Sequence, residues 1–135
     1  MDTRRQVLEA ADALVAAFAR NDTEAYFAAF SEDATFIFHT TPGVLESRAA
    51  YRAVWDGWQR DGLRVLECRS SNRHLSLLGP VAIFTHDVAT RLLLGGETVD
   101  SLERETIVFR QEQENAPWLA CHEHLSAMPD HLPPT

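Results

Sequence analysis

No stretch of this 135-residue chain is apolar for long enough to span a bilayer, so the sequence carries no transmembrane-helix signal and no membrane partner is expected. The opening residues, Met1-Asp2-Thr3-Arg4-Arg5-Gln6, run straight into an amphipathic segment and lack the apolar region of a secretory signal; the expected location is the cytoplasm. Basic residues are scarce. Lys+Arg number 12 against 20 Asp+Glu, a formal charge of -8, and the arginines are scattered rather than clustered. Such a surface repels phosphate backbones, which argues against a nucleic-acid partner. Cysteine is scarcer still. Cys68 and Cys121 have no metal-ligand spacing and form no disulfide framework, so both are read as reduced and buried. There is no internal repeat and no linker. The length fits one domain, 1–128, followed by a proline-rich tail, 129–135.

What is present is an ordinary globular composition, 45% hydrophobic and 24% charged, with strong periodic patterning. Val7, Leu8, Ala11, Leu14, Val15 and Phe18 form one apolar stripe and predict a helix over 3–19. Asp22 is an N-cap for a short second helix over 23–30, and Ser31-Glu32-Asp33 reads as a turn. Ala34–His39, rich in aromatic and β-branched residues, reads as a first strand ended by Thr40-Thr41-Pro42-Gly43. Ser47 caps a third helix over 48–59, whose face carries Tyr51, Trp55 and Trp58. These rings suit a core, and Tyr51 and Trp55 are also candidates for a pocket wall. Four long β-like runs follow, at 63–78, 81–94, 98–111 and 118–126, separated by Gly79-Pro80, Gly95-Gly96 and a polar turn. Helices followed by a meander argue for an α+β fold, with helices on one face of a strongly bent antiparallel sheet. A bent sheet closed by helices leaves a concave cavity. The opposite, convex face also carries large apolar residues, and a homodimer through it is expected.

Three stretches resemble the NTF2-like superfamily in its SnoaL-like (DUF4440-type) branch. Asn21–Thr35 resembles the second helix running into an x-Asp-Ala-Thr motif. Glu105-Thr106-Ile107-Val108-Phe109, a polar turn and Trp118 follow the branch's pattern, and His122-Glu123-His124-Leu125-Ser126 resembles its terminal strand. The association domain of calcium/calmodulin-dependent kinase is similar at that strand. The resemblance covers roughly 5–128. It implies a cystatin-like α+β cone with a deep pocket, usually dimeric, and a small-molecule ligand, but no single function, because this fold carries isomerases, cyclases, dehydratases and binding modules.

Three chemistries can be weighed on these residues. Carried over from the resemblance, a ketosteroid-isomerase-like site would put its base near Phe38 and its tyrosine near Leu14, and neither residue can do that work. A metal site could begin from His122 and His124, two apart on one strand face, with a further ligand from His86, Asp87, Glu103 or Glu105. The preferred reading gives these histidines hydrogen bonds across the sheet or at a dimer face, and no cofactor. The third option is a metal-free acid–base pocket built from His86, Glu105 and Glu123. His39, ending the first strand, would sit at its mouth. A simple ion pair from Glu105 to Arg104 or Arg91 is the competing role for that carboxylate. Cys68 and Cys121 offer no thiolate in apolar surroundings, and His74 belongs to a solvated part of its strand. The phase of 118–126 remains open, since alternation puts Trp118, Ala120, His122 and His124 on one face and Cys121, Glu123 and Leu125 on the other. Comparison with the kinase association domain favours Cys121, Glu123 and Leu125 inward. The function expected is small-molecule binding, with an isomerase, dehydratase or hydrolase acting on a small polar or carbonyl compound as the alternative.

Overall fold

The computed structural model describes residues 2–129; of the proline-rich tail expected at 129–135, all but Pro129 lies outside the described residues. The elements run α1 (Thr3–Ala19), α2 (Thr23–Ala28), β1 (Phe30–Phe38), α3 (Arg48–Arg60), β2 (Arg64–Leu78), β3 (Val81–Leu94), β4 (Glu97–Gln111) and β5 (Trp118–Ala127). Each helix starts where a short polar side chain can take up an orphan backbone N–H. Asp2 accepts from Arg4, Asp22 from Ala25 and Ser47 from Ala50. Asn21 sits at φ 57, a left-handed conformation that asparagine tolerates, between α1 and α2. Its amide donates to Val65 O at 2.9 Å and accepts from Val65 N at 2.8 Å, which ties the helix junction to the start of β2.

The five strands form one sheet in the order β1-β5-β4-β3-β2. β2 to β5 are antiparallel, but β1 lies parallel to β5, so the sheet is mixed rather than wholly antiparallel. A pairing between strands so far apart in sequence has no turn to announce it, and the meander alone was legible. β1 also begins earlier than expected. Phe30 pairs with Ala120 and is fully buried, and the stretch expected as a turn, Ser31 to Asp33, is part of an irregular strand entry. There the Ser31 hydroxyl donates to Asp33 Oδ1 at 2.7 Å. No helix among the described residues is long and apolar enough to cross a membrane.

The helices cover one sheet face. The core between them holds Phe30, Phe36, Phe84, Ile107, Phe109 and Trp55, all under 2% exposed. Register breaks interrupt β2 between Val65 and Glu67 and between Ser71 and His74, and β4–β5 between Val108 and Phe109. Such bulges bend and twist long strands, which lets a small sheet wrap around a cavity.

The break in β4–β5 decides what faces that cavity. Phe109 pairs with Ala120, yet Val108 pairs with His122, leaving Cys121 as the extra residue. Before it, Trp118 and Ala120 point inward and are buried; after it, Glu123, buried, and Leu125, partly buried, face the cavity. The two phases weighed from sequence are therefore each right for half of the strand. Cys121, expected inward beside Glu123, is half-buried outside the cavity, in the field of Arg110 and Asp33. Deleting Cys121 would close the bulge and force either Trp118 and Ala120 or Glu123 and Leu125 to the wrong face. The deletion is expected to abolish cooperative thermal unfolding, while Cys121→Ser shifts stability by less than about 1 kcal/mol, measured by calorimetry. A deletion variant that unfolds cooperatively near the wild-type temperature would refute this account.

Candidate functional site

The concave face of the sheet and the three helices enclose a cavity of ≈ 400 Å³. Its walls are mostly apolar and aromatic: Leu14 and Phe18 from α1, Tyr26 from α2, Tyr51, Trp55 and Trp58 from α3. Leu92, Leu94 and Val99 line the sheet side near the rim, where His39 and Thr40 are exposed. At the closed end lie Tyr26, Tyr51, Glu105 and Glu123, each under 9% exposed. The tyrosines come from different helices, and their hydroxyls meet at 2.8 Å. Burial, then the charge of Glu123, pushes both phenols well above their ordinary pKa of 10.0. They act as hydrogen-bonding alcohols, not as bases.

The polar end of the cavity is one row of side chains crossing the sheet. Ser70 on β2, His86 on β3, Glu105 on β4 and Glu123 on β5 all project from the concave face. His86 and Glu105 are direct cross-strand partners, and Glu123 is the diagonal neighbour of Glu105, being paired with Ile107. His86 Nε2 lies 2.7 Å from Glu105 Oε1, and His86 Nδ1 lies 2.6 Å from Ser70 Oγ. A carboxylate only accepts, so Nε2–H donates to Glu105. The Ser70 hydroxyl donates to Nδ1 of a neutral imidazole and accepts from a charged one.

Glu123 is the exception in this row. No donor among the described residues reaches its buried Oε2. Burial, and then the charge of Glu105 within hydrogen-bonding reach, hold its carboxyl well above the ordinary 4.5. Two ionised carboxylates at ~4 Å repel by about 4 kcal/mol at an effective dielectric of ~20. A single shared proton removes that repulsion. Glu123, the carboxyl held above its ordinary range, carries it, and Glu105 accepts from His86.

Of the sequence-predicted residues, Tyr51, Trp55, Glu105, Glu123 and His39 line this cavity. His86 does not: it is 1% exposed and stands behind Glu105, against the Phe84 ring at 4.7 Å. It can orient Glu105, but no ligand reaches it. Glu105 makes no ion pair with Arg104 or Arg91, because those arginines point to the other face and pair with Asp87 and Asp100. His39 sits at the rim 2.5 Å from Glu103 Oε2. Leu14 and Phe38, where isomerase-like chemistry would need its tyrosine and base, line the cavity and bring it no polar atom. The sequence reading did not single out Tyr26 or Ser70, and it named Glu103 only as a possible metal ligand, not as a residue of the cavity wall. An even spacing from Ser70 to Cys68 and from Glu103 to Glu105 was the available signal, since it puts each pair on one strand face. Cys68 does line the cavity, where burial pushes its thiol up to about 11.

His122 and His124 face the convex side. His122 Nδ1 lies 2.8 Å from Thr35 Oγ1, and burial followed by the neighbouring His124 charge lowers its pKa. His86, Glu103 and Glu105 occupy the opposite face and cannot complete a metal site with this pair. Among the described residues no group of three His, Cys, Asp or Glu is placed to hold a metal ion.

Because the folded-state pKa of Glu123 is raised, its contribution to stability is full below 4.5 and falls as pH rises toward the folded value. Glu123→Gln keeps the shape and cannot ionise. Relative to wild type it is expected to gain about 1 kcal/mol or more near pH 8, the gain shrinking toward zero below pH ~4. Urea denaturation of both proteins across that range tests this; a difference independent of pH would contradict a protonated Glu123.

The sequence profile of the SnoaL-like domain matches residues 7–131 of the chain. No curated protein matches it. Among solved structures, the chain is similar to an NTF2-like protein from Cytophaga hutchinsonii, at 15% identity over 95% of this chain and 100% of that one, TM-score 0.80. It is similar to a candidate calcium/calmodulin-dependent protein kinase II association domain from Xanthomonas campestris, at 20% identity over 97% and 91% of the two chains, TM-score 0.79. It is also similar to a ketosteroid isomerase-like protein from Erwinia carotovora atroseptica, at 14% identity over 93% and 95%, TM-score 0.77. Identities this low speak to the fold alone. With helices closing a bent five-stranded sheet of the kind seen in NTF2-like proteins, and the profile matching almost from end to end, this chain belongs to the SnoaL-like domain family.

Proposed function

We propose that this protein binds a small, largely apolar molecule with one polar group in its conical cavity. The observation that carries this reading is the enclosed aromatic space of ≈ 400 Å³ ending in a buried carboxyl pair. Apolar walls supply most of the affinity, and a few convergent polar atoms set orientation. A second reading, acid–base catalysis on a small polar or carbonyl compound, is favoured by the division of labour in that pair. Glu123 is a proton donor inside an apolar site. Glu105 is a carboxylate steadied by His86 and Ser70. The ketosteroid isomerase-like relative shares the fold, which fits this reading without supplying its substrate.

We further propose that the protein is a cytoplasmic homodimer joined through the convex sheet face. Ile37, Ile83, Val108 and Leu119 lie half-buried there, and Leu102 is 53% exposed. Apolar side chains on an open sheet face gain about 25 cal/mol per Å² when covered. Both cysteines are free, as in a reducing compartment.

A thermal-shift screen of small aromatic and alicyclic compounds is expected to raise the melting temperature of the wild type. It should fail to do so for Thr90→Trp, which fills the cavity from the sheet side. A ligand present at 100 times its Kd stabilises by about 2.7 kcal/mol, which is several degrees for a domain of this size. Equal shifts in both proteins would mean that the ligand binds elsewhere. For the catalytic reading, Glu123→Gln should lower kcat by about 100-fold or more on any substrate found, and an unchanged kcat would leave binding alone.

A further inference from the structure

The charges around the cavity narrow the chemistry of its ligand; this step rests on the cavity being the binding site. The chain contains no lysine, its 12 basic residues all being arginine, and no arginine lines the cavity. Among the described residues, the one basic side chain there, His39 at the rim, is engaged with Glu103. Three carboxyl groups, Glu103, Glu105 and Glu123, face inward, and Glu123 is 3% exposed with an oxygen that no donor reaches. An anion would find no arginine or lysine on the cavity wall to balance its charge. A neutral alcohol or ketone could take one ordinary hydrogen bond from Glu123, a modest net gain. An ammonium fits better: it brings the missing donors, supplies the counter-charge to both carboxylates, and can lie within the ~6 Å over which aromatic faces attract cations.

We propose that the cavity selects a lipophilic amine, held as its ammonium between the Glu105–Glu123 carboxyl pair and the rings of Tyr26, Tyr51 and Trp55. The proton balance follows. A neutral amine takes the Glu123 proton, so the carboxyl O–H breaks and an N–H bond forms. An ammonium arriving from solution instead displaces that proton to solvent. The groups facing Glu123 are Glu105 from β4, with His86 of β3 behind it, Cys68 from β2, and Tyr26 and Tyr51 from α2 and α3. None of them is a fixed cation that would make the ammonium redundant. Binding is therefore proton-linked. Affinity should rise by about tenfold per pH unit while the amine stays charged and Glu123 stays protonated in the free protein.

The test uses four matched probes on the full chain: 3-phenylpropylamine, 3-phenylpropanol, 4-phenylbutan-2-one and 3-phenylpropanoate. Calorimetry in two buffers of different ionisation enthalpy should give the amine a Kd at least about tenfold below the alcohol and ketone. About one proton should be released per amine bound, and the acid should not bind. Glu123→Gln should bring the amine to the level of the alcohol and abolish the proton release that accompanies amine binding. If that variant does not fold, the wild-type ratio and proton count decide the matter. Alcohol or ketone binding as tightly as the amine, or amine binding without proton release, overturns the proposal while the cavity remains a binding site. If none of the four binds, or if all bind Thr90→Trp as well as wild type, both the amine proposal and the cavity reading fail.

Discussion

A buried carboxyl group, one oxygen of which no donor among the described residues reaches, is the constraint from which the rest of this molecule's chemistry follows. Glu123 lies on a strand face roofed by helices, beside the second carboxyl of Glu105. Leaving both ionised would cost several kcal/mol, a large part of what a domain of this size has in hand. Covering the pair with well-packed apolar residues would be the simpler way to a stable core. That the chain instead keeps two acids at the blind end of an aromatic cavity is a reason to look for function there, since buried groups with displaced protonation cluster at working sites.

The two acids are not equivalent, and the asymmetry comes from the sheet. Antiparallel pairing sets His86 directly opposite Glu105, whereas Glu123 lies opposite Ile107. One carboxylate therefore receives an N–H donor from its cross-strand neighbour and the other receives an isobutyl-sized hydrocarbon. Ser70, one strand further out, holds the far nitrogen of His86. The proton falls to Glu123 because of where four residues stand in the register, not because of any difference in the acids themselves.

Much of the fold was legible in the sequence because the signals are local. The stripe from Val7 to Phe18, the caps at Asp22 and Ser47, and the Gly79-Pro80 and Gly95-Gly96 turns each act over a few residues, and the elements fall where they point. The parallel pairing of β1 with β5 was not legible, since it joins Thr35 to His122 across 87 positions with no turn between. The site was legible in part. Glu105, Glu123, Tyr51 and Trp55 could be placed near a pocket by periodicity and by resemblance, yet His86 was put in the pocket when it stands behind it. Periodicity gives the face of a residue, not its depth. Tyr26 escaped because a tyrosine on an apolar helix face looks the same whether its hydroxyl meets a backbone carbonyl or another phenol.

The strand from Trp118 to Ser126 shows most clearly where a period-two argument stops. No alternating pattern can put Trp118, Ala120, Glu123 and Leu125 on one face, and a single extra residue does so at once. The displaced residue, Cys121, is small enough to sit in a bulge and lies near Arg110 and Asp33 at the outer surface. Its place gives the strand two tasks. The N-terminal half closes the core against α1, where the Trp118 indole donates to Gln6 at 3.2 Å. The C-terminal half presents Glu123 to the cavity and turns His122 and His124 outward. A regular strand could do one or the other. The bulge is thus as much a part of the site as the carboxyl it orients, although it touches nothing that would bind there.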